Sequence, residues 1–161
     1  MKFVCVVLLI LAESAAVFGQ IVLLSPTGDG GFETGATFAA NGWTAVNPNA
    51  SLWEAGTGAV QYAGNRGAYT INNTPGTWSY LTTGSRTSHF YRDIAIPAGA
   101  STITLSFYWK GRGEANWDRA LVYTAPTTVT PVANAPASNA TAIAGATLVW
   151  TQPNVQPTPP A

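Results

Sequence analysis

The 161-residue chain has one cysteine and one histidine, and only 9% of its residues are charged. Each scarcity excludes something. A single cysteine, Cys5, cannot form an intrachain disulfide. Cys5 lies inside the apolar N-terminal run, so a chain processed after that run holds no thiol. One histidine, His89, cannot build a multi-histidine zinc site. No G-x-S-x-G elbow accompanies it, so it reads as an ordinary strand residue rather than a catalytic base. The charge content is far below the roughly 25% usual for soluble domains. Net charge is zero, which favours neither nucleic acid nor an anionic membrane. Helical periodicity and internal repeats are absent too. "KGRGE" lacks the phosphate-loop pattern and reads as a turn.

What is present is small, polar and aromatic. Thr, Ser, Asn, Gly and Ala take the surface role that charge usually fills, a pattern suited to extracellular β-proteins. The N-terminus has the form of a secretory signal. Lys2 is its positive end, Phe3 to Ala12 its apolar run, and "AVFGQ" offers small residues for cleavage before Gln20. The run is shorter than the ~20 residues a membrane span needs. The expected organisation is a signal over 1–19, a β-domain over 20–151 and a Pro-rich tail or linker over 152–161. Localisation is expected to be secreted, extracellular or cell-surface, with no membrane span in the mature chain.

Period-two patterns recur along the domain. In "TITLSFYWK", Ile103, Leu105, Phe107 and Trp109 alternate with Thr102, Thr104, Ser106 and Tyr108, which predicts a half-buried strand. Trp43 and Trp109 are expected in the core. "GWTAVN", "GAYTIN", "TWSYLTT", "HFYRDIAI", "DRALVYT" and "TAIAGATLVWT" are further strand candidates. Clusters such as "PNAS", "NNTPG" and "PAGAS" separate them. Short strands between turns predict an all-β, antiparallel sandwich.

Two blocks carry a resemblance. "GDGGFETGATFAANGWTAVN…LWEAGTGA" and "HFYRDIAIPAGASTITLSFYWKGRGEANWDRALVY" resemble a jelly-roll domain of secreted Bacteroidetes surface proteins. The arrangement is similar to the cleaved-adhesin and MAM-like group, in which an FE-x-G turn precedes a GW strand. The resemblance covers roughly Leu24 to Pro131. It implies a jelly-roll-like β-sandwich and a non-catalytic surface module in a type IX secretion context, beside adhesion, carbohydrate-binding or peptidase domains. Family members continue with further strands beyond "PTTVTPV", so the fold is expected to be cut short, or its last strands degenerate, at the C-terminal end.

The resemblance also implies a structural cation, with an early acid meeting a late one. Asp29, Glu33 and Asp118 are the candidate calcium ligands, aided by carbonyls of the glycine-rich turn. The plainer alternative makes Asp29 a turn residue, Glu33 exposed and Asp118 a loop cap. Arg92 and Asp93 are neighbours on a strand and point to opposite faces, so each needs a partner elsewhere. Glu114 or Asp118 is the expected partner of Arg92.

Six tryptophans are many for this length. Trp53, Trp78 and Tyr80 sit in polar, loop-flanked segments and are candidates for a ligand-binding platform against sugar rings; core packing is the alternative. The acids Asp29, Glu33, Glu54, Asp93, Glu114 and Asp118 lack the E-x-D-x-E spacing of sandwich-fold glycanases. The expected function is therefore an adhesion or carbohydrate-binding module whose partner is an extracellular glycan or a host or cell-surface protein. The alternatives are a structural spacer presenting neighbouring domains and, with least behind it, a secreted hydrolase fragment.

Overall fold

The computed structural model describes residues 20–58, 61–111, 118–134 and 145–151. The expected signal segment and Pro-rich tail, together with Glu114 and Trp117, lie outside these residues. Among the described residues the chain is all-β and antiparallel. After a 3-10 turn at Ala39–Asn41 come β1 (Thr44–Val46), β2 (Leu52–Gly56), β3 (Gly67–Ile71), β4 (His89–Tyr91), β5 (Leu121–Thr124) and β6 (Thr147–Thr151). They form three two-stranded sheets, β1 with β4, β2 with β3 and β5 with β6. No helix among the described residues is long and apolar enough to cross a membrane.

The core is built from rings. Phe32, Phe38 and Ala55 are buried at its centre, with Trp43, Ala45, Trp53, Ala68 and Phe90 packed around them. Phe90, on β4, is the hub. Its ring centroid lies 4.9 Å from Trp53, 5.1 Å from Phe38, 5.4 Å from Trp43 and 6.1 Å from Phe32. The β1–β4 register sets Phe90 opposite Ala45, whose small side chain leaves room for the rings. β2 and β3 pair over five positions, from Leu52 with Ile71 to Gly56 with Gly67. β2 is also fixed outside the sheet, because the Asn47 side chain accepts from the Trp53 N–H (2.8 Å) and donates to the Trp53 carbonyl (3.1 Å). That amide occupies backbone groups an unpaired strand edge would expose.

Two expected strands are not formed. Residues 101–111 pair with no neighbour, and Ile103, Leu105, Phe107 and Trp109 are 62, 54, 43 and 41% exposed. Trp109 is therefore not a core residue. Alternation marks a strand that can be half-buried, but burial needs a second layer, and the described residues leave this face largely exposed. The alternation itself survives in the ring contacts. Phe107 and Trp109 both meet Trp150 of β6, at 5.2 and 5.4 Å, whereas Tyr108 meets Tyr62. In "TWSYLTT" the backbone is satisfied locally instead of by a ladder. Ser79 N–H donates to the Thr70 carbonyl, and Leu81 N–H to Ser51 Oγ. In the other direction, β2 carries little alternation of its own and was not among the expected strands.

Candidate functional site

The segment Asp29–Trp43 wraps into a knot of hydrogen bonds. Its glycines begin the curl. The Ser25 carbonyl accepts from the N–H groups of Gly28, Gly30 and Gly31, and the Gly28 carbonyl from Gly31 and Glu33. The chain then places Phe32 at φ 63°. A bulky side chain in the left-handed region costs on the order of 1–3 kcal/mol and persists only where its surroundings hold it. Here the surroundings are rings: Phe38 at 5.5 Å edge-on and Trp43 at 5.6 Å.

Asn41 closes the loop from inside. It is 1% exposed, the most buried polar side chain described. Its Oδ1 accepts from the Thr34 N–H at 2.9 Å. Its Nδ2 donates to the carbonyls of Gly35 (2.9 Å) and Thr37 (2.7 Å). One amide thus satisfies three backbone groups that the strand ladders cannot reach. Gly42 follows at φ 71°, and a Cβ there would lie 3.1 Å from the Arg92 guanidinium carbon. Both the backbone angle and the space call for glycine.

Arg92 clamps the loop from the β4 side. It forms a salt bridge with Asp29 and donates through Nη1 to the Asn41 carbonyl at 2.9 Å. Among the described residues its partner is the early acid Asp29, because β1–β4 pairing brings the end of β4 against the Asp29 turn; of the expected partners, Glu114 lies outside the described residues and Asp118 stands ahead of β5. The Trp43 indole N–H completes the clamp by donating to the Asp29 carbonyl at 2.9 Å. The Arg92 hydrogen bond holds the Asp29 carboxyl below its usual range, helped by the guanidinium charge and opposed by partial desolvation.

Glu33 ties the same turn to the bend before β3. Its Oε1 accepts from the N–H groups of Asn65 and Arg66, both at 2.8 Å. Those two bonds, Arg66 first, hold its carboxyl below the usual range. Gly64, at φ 77° in that bend, leaves the room that the Glu33 carboxylate occupies. The expected calcium ligands are thus placed as follows. Asp29 faces a guanidinium, Glu33 faces two backbone amides, and Asp118 is exposed ahead of β5. Among the described residues no three acidic, histidine or cysteine side chains group as metal ligands.

The expected sugar platform is divided. Trp53 packs against the core cluster, and its indole N–H donates to the Ser88 carbonyl at 3.2 Å. Trp78 and Tyr80 are half-buried. The exposed aromatic surface lies elsewhere. Tyr62 and Tyr108 are 72 and 71% exposed, and Phe107 and Trp109, which flank Tyr108 in sequence, stand over Trp150 in space. Ile103 and Leu105 extend this strip. The signal for it was the alternation of "TITLSFYWK", which identifies two faces without saying which one is covered.

His89 is half-buried on β4, with Nε2 3.2 Å from the Val132 carbonyl. Burial pushes its pKa down from 6.5, against the effect of that carbonyl. Glu54 receives the Gly76 N–H on both oxygens, at 3.2 and 3.1 Å. No protein-family model matches the chain, and no curated protein or solved structure matches it significantly.

Proposed function

We propose that the chain is a non-catalytic extracellular or cell-surface binding module of jelly-roll-like ancestry, acting in adhesion or carbohydrate recognition. The observation that carries this reading is the exposed aromatic strip of Phe107 and Trp109, on one face of residues 101–111 with Trp150 against it. Aromatic faces in water offer stacking area at small entropic cost, and a pyranose ring presents matching C–H faces. The titratable groups support the same reading from the other side. Asp29, Glu33 and Glu54 each accept structural hydrogen bonds, which leaves them poorly placed to move protons for a substrate. The resemblance to cleaved-adhesin and MAM-like domains agrees with a surface module.

The test is binding of the purified chain to a panel of soluble polysaccharides by affinity electrophoresis, with Trp109→Ala and Phe107→Ala beside the parent chain. Retardation that both substitutions abolish, with the fold retained, is the expected result. Retardation by no polysaccharide would favour the structural spacer. Retardation that survives both substitutions would move the site off the strip.

A further inference from the structure

Tyr62 and Tyr108 stack with ring centroids 3.4 Å apart and planes 11° from parallel. Aromatic pairs usually prefer offset or edge-to-face arrangements to a face-to-face sandwich. At that separation and tilt the two rings lie face to face in direct contact. Both side chains are more than two-thirds exposed, at 72 and 71%. Of the six tyrosines, Tyr69 is buried, and Tyr80, Tyr91 and Tyr123 are half-buried.

We infer that Tyr62 and Tyr108 form an oxidative cross-linking site, at which a one-electron phenol oxidant working with hydrogen peroxide joins the two rings through their ortho carbons. Each phenol gives up one electron and its hydroxyl proton, leaving two phenoxyl radicals in contact. Their ortho carbons form a carbon–carbon bond. The hydrogen on each of those carbons then returns to oxygen, restoring two phenols. Overall two electrons and two protons leave the protein and reduce one peroxide to two waters. The stacked pair is the encounter complex of this coupling, already assembled. Its position gives the bond a structural effect. It would tie the bend that Glu33 holds to the unpaired segment 101–111, in a chain whose single cysteine cannot form an intrachain disulfide.

The test treats the dilute full chain with a haem peroxidase and hydrogen peroxide, then cleaves after arginine and lysine. Cleavage at Arg66, Arg92 and Lys110 puts Tyr62 and Tyr108 on separate peptides. The expected product is those two peptides joined, lighter than their sum by two hydrogen atoms. It should form in proportion independent of protein concentration. Tyr62→Phe and Tyr108→Phe should each abolish it, and Tyr123→Phe should leave it intact. Both abolishing variants remove exposed hydroxyls, and circular dichroism confirms that they fold. Absence of the joined peptide, its persistence in either variant, or predominance of links between chains that rise with concentration would overturn the inference.

Discussion

Two parts of this chain are rich in aromatic side chains and meet opposite fates. In the first, from the Asp29 turn to Arg92, the rings of Phe32, Phe38, Trp43, Trp53 and Phe90 close on one another. In the second, residues 101–111, comparable side chains face solvent. Hydrophobicity does not separate them. What separates them is the set of polar side chains that fold the first part back on itself. Asn41, Glu33 and Arg92 each bond backbone or charge across a turn, and in doing so bring the rings within packing distance. Segment 101–111 has a tight reversal before it, with Ala100 N–H on the Pro97 carbonyl, but no strand pairs with it.

The sharpest way to break the contrast is at its hub. Phe90→Ala removes the ring that touches four others and should destabilise by about 3–4 kcal/mol in chemical denaturation. A loss of about 1 kcal/mol would mean the rings are not one core. Asn41→Ala comes next, at about 2–3 kcal/mol, because it strands the Thr34 N–H and the Gly35 and Thr37 carbonyls in a buried loop. Asn41→Asp should recover little of this, since a carboxylate keeps the acceptor and loses both donors. Trp109→Ala should cost about 1 kcal/mol, from lost contact with Trp150 and partial burial. A cost as large as that at Phe90 would erase the difference between the two parts.

The smallest effect is graded with pH. Asp29 and Glu33 have folded pKa values below their unfolded values of 3.8 and 4.5. Their contribution is fully present above those values and is lost as pH falls through the lower folded ones. His89 also has its pKa lowered, from 6.5, so protonation is resisted in the fold and stability declines as pH drops below 6.5. Thermal midpoints should thus fall in two stages on acidification. His89→Gln should remove the upper stage and leave the lower one. A midpoint that rises between pH 6.5 and 4.5 would contradict the sign at His89.

The strand class and five of the six paired strands among the described residues were legible because alternation and turn residues are local signals. β1, β3, β4 and β5 fall within quoted candidates, and β6 within "TAIAGATLVWT". The failures came where the deciding partner is distant. Nothing near Arg92 marks Asp29 as its counter-ion, since the two are joined only by the β1–β4 pairing. Trp53 looked like a loop aromatic because its polar neighbours Asn47 and Glu54 hide a strand. Asn41 had a local sign, an Asn–Gly ahead of a strand, but its burial depends on the whole loop curling around it. The Tyr62–Tyr108 stack joins residues with no shared pattern at all.

Amide hydrogen exchange on the intact chain, resolved residue by residue, tests the contrast most directly. The N–H groups of Thr34, Trp43, Asn65 and Arg66 have defined acceptors and should exchange slowly. Those of residues 103–109 should exchange close to the rate of an open chain. Protection in 103–109 equal to that of the Asn41 loop would mean that the segment is a paired strand under a second layer, and that its aromatic face is core rather than ligand surface.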